Sequence, residues 1–268
     1  MSGVVLITGA TGKRGGSRIR VRYPKVKLVK GSMSDASGIF SNAMNVASQP
    51  IWGVFSVPHD AEEQQGKTLI DAAIKNNVQI FVYTSVDRGG DDSLSQPTEV
   101  PHFIVKHNIE KYLLEKSKAA GMDWVILRPT CFFDNFVPGF AGKLTNTCWK
   151  VALKDKPLQL IAVSDIGFFG AQAFLKPEEY KGRFISLAED ITFEEMARVY
   201  DAPTGHDLPL TYGVFARCLM WMANDIGSMY RWFKQPGFNA DIETLKKIHP
   251  RFKDFGAWLE EDTEYAQK

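Results

Sequence analysis

The sequence is poor in cysteine and histidine, and neither residue type has a spacing that would hold a metal ion. Three cysteines and five histidines occur in 268 residues. An odd number of cysteines without paired spacings argues against a disulfide framework and for a reducing compartment. We therefore expect the cytoplasm, with the nucleus as the alternative. Cys131 invites interpretation as a redox switch, but an unpaired cysteine beside aromatic residues is more often inert.

Long uninterrupted apolar runs are also missing. The longest apolar stretch, residues 210–226, contains Arg217, Asn224 and Asp225. Such polar interruptions predict a buried or interface helix and not a membrane span. The apolar start of the chain is a short strand bounded by glycines, unlike the apolar core of a secretory signal. We expect no membrane association.

Acidic residues are absent from the first 34 positions, because the first acid is Asp35. Nucleic-acid binding is disfavoured, since Tyr23 is the only aromatic residue among the basic ones of this segment and the whole chain carries a net charge of only +1. Either a solvated edge or one or two phosphate-binding cations would explain such a segment. Its basic residues are Lys13, Arg14, Arg18, Arg20, Arg22, Lys25, Lys27 and Lys30.

Strand and helix patterns alternate along the chain. Apolar runs rich in Val, Ile, Phe or Trp predict strands at 3–7, 26–30, 51–57, 79–84, 123–127 and 183–187. Helical periodicity predicts helices at 62–76, 107–119 and from Phe193 to about Tyr200, the last with Thr192 and Glu195 as a capping box. This alternation indicates an α/β fold with a Rossmann-like, doubly wound parallel sheet.

The first predicted strand runs into a glycine-rich loop. The pattern Gly9-x-x-Gly12-x-x-Gly15-Gly16 is typical of a loop that holds a dinucleotide pyrophosphate against a helix N-terminus. The predicted cofactor contacts in this loop are Gly9, Ala10, Thr11, Gly12, Lys13, Arg14 and Gly15.

The segment after this loop is too short for the usual crossover. A parallel crossover needs about a dozen or more residues, whereas 16–25 offers ten and includes Pro24. Residues 18–23 alternate charged and apolar side chains, so an antiparallel strand and an irregular loop are both open. In either case the helix behind the loop is missing or reduced, which would weaken the anion site.

Composition also changes along the chain. We expect residues 1–150 to form a dinucleotide-binding domain with a shortened first unit. Residues 151–268, whose final hundred are rich in Trp, Phe and Met, would form a smaller and mostly helical lobe for a substrate or a partner.

Three motifs in order resemble the NmrA-like family of atypical short-chain dehydrogenases, which includes oxidoreductases and redox-sensing regulators. They are the glycine loop, His102 with residues 104–106, and the run Leu127-Arg128-Pro129-Thr130-Cys131-Phe132-Phe133-Asp134-Asn135-Phe136. The resemblance extends to residues 163–167 and 255–259. It covers nearly the whole chain, and it implies a Rossmann-like fold that binds NADP, with NAD as the alternative.

The resemblance assigns roles to several residues. It implies that Arg22 reads the 2′-phosphate of NADP, that Ser56, Val57 and Pro58 border the cofactor ribose, and that Lys106 holds the nicotinamide ribose. Where the family commonly has Gly-Asp near the adenine, this chain has Gly31-Ser32. Phe132, Phe133, Asp134 and Asn135 would flank the nicotinamide, although a pair of core-packed phenylalanines is the alternative.

His102 occupies the position at which classical short-chain dehydrogenases have a proton-donating tyrosine. Histidine transfers protons near neutral pH, so reduction remains chemically open. Packing before a helix is the alternative for His102, and a solvated helix face is the alternative for Lys106.

Three functions follow from these residues. The first is an NAD(P)H-dependent oxidoreductase that reduces a small hydrophobic carbonyl or activated alkene, with Lys106 and His102 as catalytic residues. The second is an NAD(P)-sensing redox regulator that binds a protein partner without turnover. The third is a degenerate paralogue without nucleotide binding, or a sequence from which an exon has been lost.

Overall fold

The computed structural model describes residues 3–9, 23, 25–47, 49–57, 62–96, 98–136 and 139–263. Its described strands are β1 (Val4–Ile7), β2 (Ile51–Ser56), β3 (Ile80–Thr84), β4 (Asp123–Pro129), β5 (Cys131–Phe132), β6 (Leu158–Ile161), β7 (Arg183–Leu187) and β8 (Glu189–Ile191). The described helices are α1 (Ala36–Val46), α2 (Glu62–Lys75), α3 (Pro101–Ala120), α4 (Phe140–Leu153), α5 (Val163–Leu175), α6 (Pro177–Tyr180), α7 (Phe193–Thr204), α8 (Gly213–Met222), α9 (Asn224–Lys234), α10 (Ile242–Ile248) and α11 (Phe255–Asp262).

Five strands form one sheet in the order β1-β2-β3-β4-β7, and the pairs from β1 to β4 are parallel. All five residues of β3 are buried, as expected for a strand covered by helices on both faces. The α/β fold with a Rossmann-like parallel sheet is thereby confirmed.

The chain divides into two compact units whose segments alternate along the sequence. The first unit consists of Met1–Ser85, Val105–Leu127 and Gly170–Ile185, and the second of Val86–Ile104, Arg128–Phe169 and Ser186–Lys268. Compactness alone gives no segment a role, so the functional division into residues 1–150 and 151–268 stays a prediction.

The second unit has a sheet of its own. Strand β6 pairs in parallel with β5 and antiparallel with β8, so this unit is not built of helices alone. Its helix α7 begins with the predicted capping box, in which the Thr192 hydroxyl accepts from the Glu195 N–H and the Glu195 carboxylate accepts from the Thr192 N–H. That prediction is confirmed.

The prediction of a strand at 26–30 is wrong, because these residues form no strand in the structure. Strand β1 pairs with β2, and the segment is instead attached to helix α1. The Lys30 carbonyl accepts from the Asn42 amide at 3.0 Å, and the Lys27 ammonium donates to the Val46 carbonyl at 2.9 Å. An apolar run forms a strand only where a neighbour offers backbone partners, and this run packs Val29 against the core of the first unit.

Two helix boundaries differ from the predicted ones for local reasons. Helix α3 begins at Pro101, earlier than the expected 107, because proline suits the first helical position. Helix α2 ends at Lys75, and Asn77 adopts a left-handed conformation with φ 56°. Asparagine tolerates that conformation, which commonly terminates a helix.

Candidate functional site

The carboxyl ends of the parallel strands lie at one edge of the first unit. The register pairs Ile7 with Phe55, Ser56 with Tyr83, and Thr84 with Leu127, so β1, β2 and β3 end beside one another. Open α/β sheets bind ligands at this edge.

Gly9 follows β1 at this edge and turns the chain there. Its φ is +75°, a conformation that side chains rarely adopt, and a Cβ atom would lie 3.2 Å from both the carbonyl oxygen and the Cβ of Val57. The preceding Thr8 hydroxyl accepts from the Val57 N–H at 3.0 Å. The structure thus brings Gly9 and Val57 together, and the close approach explains why a glycine stands there.

Three hydroxyl groups of the same edge are buried and have no hydrogen-bond partner among the residues that the structure describes. Ser56 is fully buried, and Thr84 and Ser85 are 7% and 2% exposed. Their side-chain oxygens contact no donor or acceptor in the part of the chain that the structure describes. A buried polar group without a partner costs about 1–3 kcal/mol, so these hydroxyls mark a place where a ligand could supply the partner.

Much of the predicted cofactor site falls outside the described residues. These positions are Ala10, Thr11, Gly12, Lys13, Arg14, Gly15, Arg22 and Pro58. Their assigned roles stay predictions.

His102 and Lys106 lie one turn apart on helix α3, both half-buried. The Nδ1 atom of His102 lies 2.8 Å from a carboxylate oxygen of Asp225, which lies in the first turn of α9. The imidazole also contacts the Phe103 ring edge to face, with centroids 4.6 Å apart. The carboxylate fixes the orientation of the ring through Nδ1, so Nε2 is the ring nitrogen that does not take part in this contact.

The run from Phe132 to Asn135 divides between surface and core of the second unit. Asp134 and Asn135 are exposed, and Phe132 is half-buried. Phe133 is fully buried, with its ring centroid 5.5 Å from those of both Phe255 and Trp258. Phe133 therefore matches the core-packing alternative, and Phe132, Asp134 and Asn135 are the accessible members of the run.

Cys131 gains no reactivity from its surroundings. Burial raises the pKa of its thiol to about 12, so the thiolate needed for redox chemistry is scarce at neutral pH. This agrees with the inert interpretation.

The second unit contains a buried polar centre around Asp87 that the sequence motifs did not predict. The carboxylate of Asp87 accepts hydrogen bonds from the backbone of Gly89, Gly90 and Asn239 at 2.9–3.1 Å and from the Ser186 hydroxyl at 2.6 Å. Both glycines have positive φ. The signal available in the sequence was Asp-Arg-Gly-Gly two residues after a buried strand, since glycines at turns allow backbone amides to face an anion.

The described ranges contain neither a metal-binding cluster nor a membrane-spanning helix. No group of three or more His, Cys, Asp or Glu residues there could hold a metal ion. Nor does any helix within those ranges combine the length and apolar character needed to cross a membrane.

Solved structures with this fold include a reductase, an epimerase and a quinone oxidoreductase. A triphenylmethane reductase from Citrobacter sp., complexed with NADP(H), matches with a TM-score of 0.70 and 14% identity over 97% of this chain and 100% of its own. A nucleoside-diphosphate-sugar epimerase from Staphylococcus aureus has a TM-score of 0.69 and 14% identity, covering 96% and 100% of the two chains. An NADPH-dependent quinone oxidoreductase from Escherichia coli has a TM-score of 0.64 and 15% identity, covering 94% and 97%.

At these sequence identities, similarity to the solved structures establishes the fold alone. Membership of a family is established by the sequence. The model of the NmrA-like family matches residues 20–259. That range includes His102, Lys106 and the run 132–135, and it covers far more than half of the chain. The protein is a member of the NmrA-like family.

Proposed function

We propose that this protein is an NAD(P)H-dependent oxidoreductase that reduces a small hydrophobic carbonyl compound or activated alkene. The observation that carries the proposal is the group of buried hydroxyls at Ser56, Thr84 and Ser85, which have no hydrogen-bond partner among the described residues. They stand at the carboxyl edge of a parallel sheet, beside the positive-φ Gly9. A nicotinamide dinucleotide has ribose and phosphate oxygens that would satisfy such groups.

NADP is the proposed cofactor, with NAD as the alternative. The quinone oxidoreductase is complexed with NADPH, and a further protein of this fold, WbmH from Bordetella bronchiseptica, is in complex with NAD+. Arg22 is the candidate that would select NADP, because a guanidinium pairs well with a phosphate.

When bound, a reduced nicotinamide would supply a hydride to the substrate carbon. Lys106 would hold the nicotinamide ribose by its ammonium group, and His102, as the imidazolium, would give its Nε2 proton to the substrate atom that gains negative charge. Asp225, 2.8 Å from His102 Nδ1, would accept the Nδ1–H and fix the orientation of the ring. Ser85 would hydrogen-bond the substrate carbonyl, which gives its buried hydroxyl a partner.

Nucleotide sensing without turnover is the second candidate, and the contact between His102 and Asp225 favours it. The contact with Asp225 gives His102 a structural role that needs no substrate. Position 102 also lacks the tyrosine of classical short-chain dehydrogenases. A sensor of this kind would bind NADP or NAD and change its affinity for a protein partner.

Calorimetric titration with NADPH and NADH, followed by turnover with a panel of carbonyl compounds and quinones, separates these functions. An oxidoreductase binds a nucleotide and consumes NADPH with a member of the panel. Binding without turnover on the full panel would favour the sensor, and the absence of binding would favour a degenerate paralogue.

Lys106→Ala is the first variant to compare. We expect it to abolish hydride transfer, whereas Lys111→Ala, an exposed lysine of the same helix, should leave the rate unchanged. Undiminished turnover in Lys106→Ala would remove Lys106 from the catalytic residues.

A further inference from the structure

Helix α8 presents an apolar face to solvent. Trp221 is 85% exposed, Met222 76% and Phe215 53%, and Val214 and Cys218 are exposed beside them. At about 100° per residue, these five side chains fall within an arc of about 120° on the helix surface. Soluble chains seldom leave such a contiguous apolar face uncovered unless it is an interaction surface.

The opposite side of α8 is already used within the second unit. Ala216 is fully buried, and its carbonyl lies 4.0 Å from the Cys148 sulfur on α4. A Cβ atom on Gly213 would meet Val151 of α4 at 3.5 Å. The helix is therefore apolar on two sides, one of which anchors it while the other stays exposed.

The exposed face is symmetric about Cys218. Val214 and Met222 are each four positions from it, and Phe215 and Trp221 are each three positions away. A two-fold axis at Cys218 would make α8 antiparallel to its copy, with Val214 opposite Met222 and Phe215 opposite Trp221 of the second copy. An isologous interface requires this kind of self-complementarity.

We propose that this face of α8 is the interface through which two copies of the chain form a homodimer, with the two-fold axis passing close to Cys218.

The exposed area is close to that of a small stable interface. With about 150–250 Å² for an aromatic side chain, the exposed fractions of Phe215 and Trp221 leave about 280 Å² uncovered on each copy. Val214, Cys218 and Met222 enlarge the face, so that two copies together approach the lower end of the roughly 1,200–2,000 Å² buried in stable complexes.

Charge and shape favour a second copy over other occupants. Between 210 and 223 the only charged residue is Arg217, whereas helices that lie in a membrane surface are rich in Lys and Arg on their polar face. A convex helix face also lacks the concavity of small-molecule sites. None of the five residues of the face is itself acidic or basic.

Sedimentation equilibrium of the full chain tests the proposal. The wild type should be a dimer at micromolar concentration, and Trp221→Glu should raise the dimer dissociation constant about 30-fold or more, as for an interface hot spot. Met222→Lys, also at an exposed position, should act in the same direction. The control Leu175→Glu replaces a 74% exposed apolar residue of α5 and should leave the dimer intact.

A short bifunctional maleimide tests the position of the axis. It should cross-link wild-type dimers through Cys218, the exposed cysteine, and Cys218→Ser should abolish the cross-link. A monomeric wild type, or a dimer that survives both Trp221→Glu and Met222→Lys, would overturn the proposal. Monomers that bind phosphatidylcholine vesicles through Trp221 would also overturn it and assign the face to a lipid surface.

Discussion

The hydrophobic cores of the two units are built from different residues. The core of the first unit is mainly aliphatic and comes from strands and helices of the parallel sheet, with Phe40, Phe81 and Tyr83 as its buried aromatic residues. The main core cluster of the second unit contains eleven buried aromatic residues among the described ones, which are Phe103, Phe133, Phe136, Trp149, Phe193, Tyr200, Tyr230, Trp232, Phe233, Phe255 and Trp258.

The two cores are also packed differently. Branched aliphatic side chains fill the layers between a sheet and its helices, whereas aromatic rings pack edge to face with a geometry specific to each pair. Trp149 illustrates the second mode, since its ring lies 5.3 Å from Phe136 at 69° and 5.7 Å from Phe193 at 83°. The second unit therefore depends on a few large side chains, and the first on many smaller ones.

Of the variants considered, Trp149→Ala should have the largest effect on the free energy of unfolding, and it tests the dependence of the second unit on its large rings most directly. Trp149 is fully buried, so Trp149→Ala leaves a large cavity and should lower the free energy of unfolding by about 3–5 kcal/mol. In the first unit, Ile70→Val at an equally buried position should cost about 1 kcal/mol. Urea unfolding followed by circular dichroism measures both.

Trp149→Phe separates ring packing from polar effects. The Trp149 Nε1 atom has no hydrogen-bond partner among the described residues, so phenylalanine loses volume and no hydrogen bond. We expect a cost between those of the other two variants. A loss below 1 kcal/mol for Trp149→Ala would contradict the dependence of this unit on its large rings.

The first unit could be predicted from the sequence better than the second. Strands such as Ile80–Thr84 are continuous apolar runs, and their burial follows from local pattern alone. Val26 to Lys30 has the same pattern and is not a strand, because pairing depends on a neighbour that no local pattern specifies. The aromatic core is assembled from segments as distant as Phe103 and Trp258, so its contacts could not be read from periodicity.

The candidate site could be predicted only in part for a similar reason. A glycine directly after a strand predicts a positive φ at that position, and the φ of Gly9 is positive. Whether the hydroxyls of Ser56 and Ser85 find partners depends on distant residues, and so does the burial of Phe133. The Asp87 centre depends on Asn239, which is 152 residues away.

Replacing one buried serine in each unit should change stability by an intermediate amount. In the second unit the Ser93 hydroxyl donates to the Gly90 carbonyl at 2.6 Å and accepts from the Arg88 N–H at 2.9 Å. Ser93→Ala leaves these buried groups unpaired and should cost about 1–3 kcal/mol.

Ser56→Ala is the matched change in the first unit. The Ser56 hydroxyl has no partner to lose among the residues that the structure describes, so stability should stay unchanged or rise slightly. If the proposed function is correct, NADPH should nevertheless bind more weakly to this variant by calorimetry. A loss of stability as large as that of Ser93→Ala would show that Ser56 already has a partner within the protein.

The smallest expected effect concerns pH and the capping box of α7. Hydrogen bonds from the N–H and hydroxyl of Thr192 hold the pKa of the Glu195 carboxyl below its ordinary value of 4.5. Because the pKa is lower in the folded state, the stabilisation is present above the unfolded value and is lost as the pH falls through the folded one. The urea midpoints of wild type and Glu195→Gln should therefore differ most at neutral pH, and this difference should shrink below pH 4.5. Glu194→Gln, in the same first turn, should show a weaker dependence. A difference between wild type and Glu195→Gln that is unchanged from neutral to acidic pH would mean that the carboxylate contributes nothing as a charged acceptor, and that the cap of this unit rests on the Thr192 hydroxyl alone.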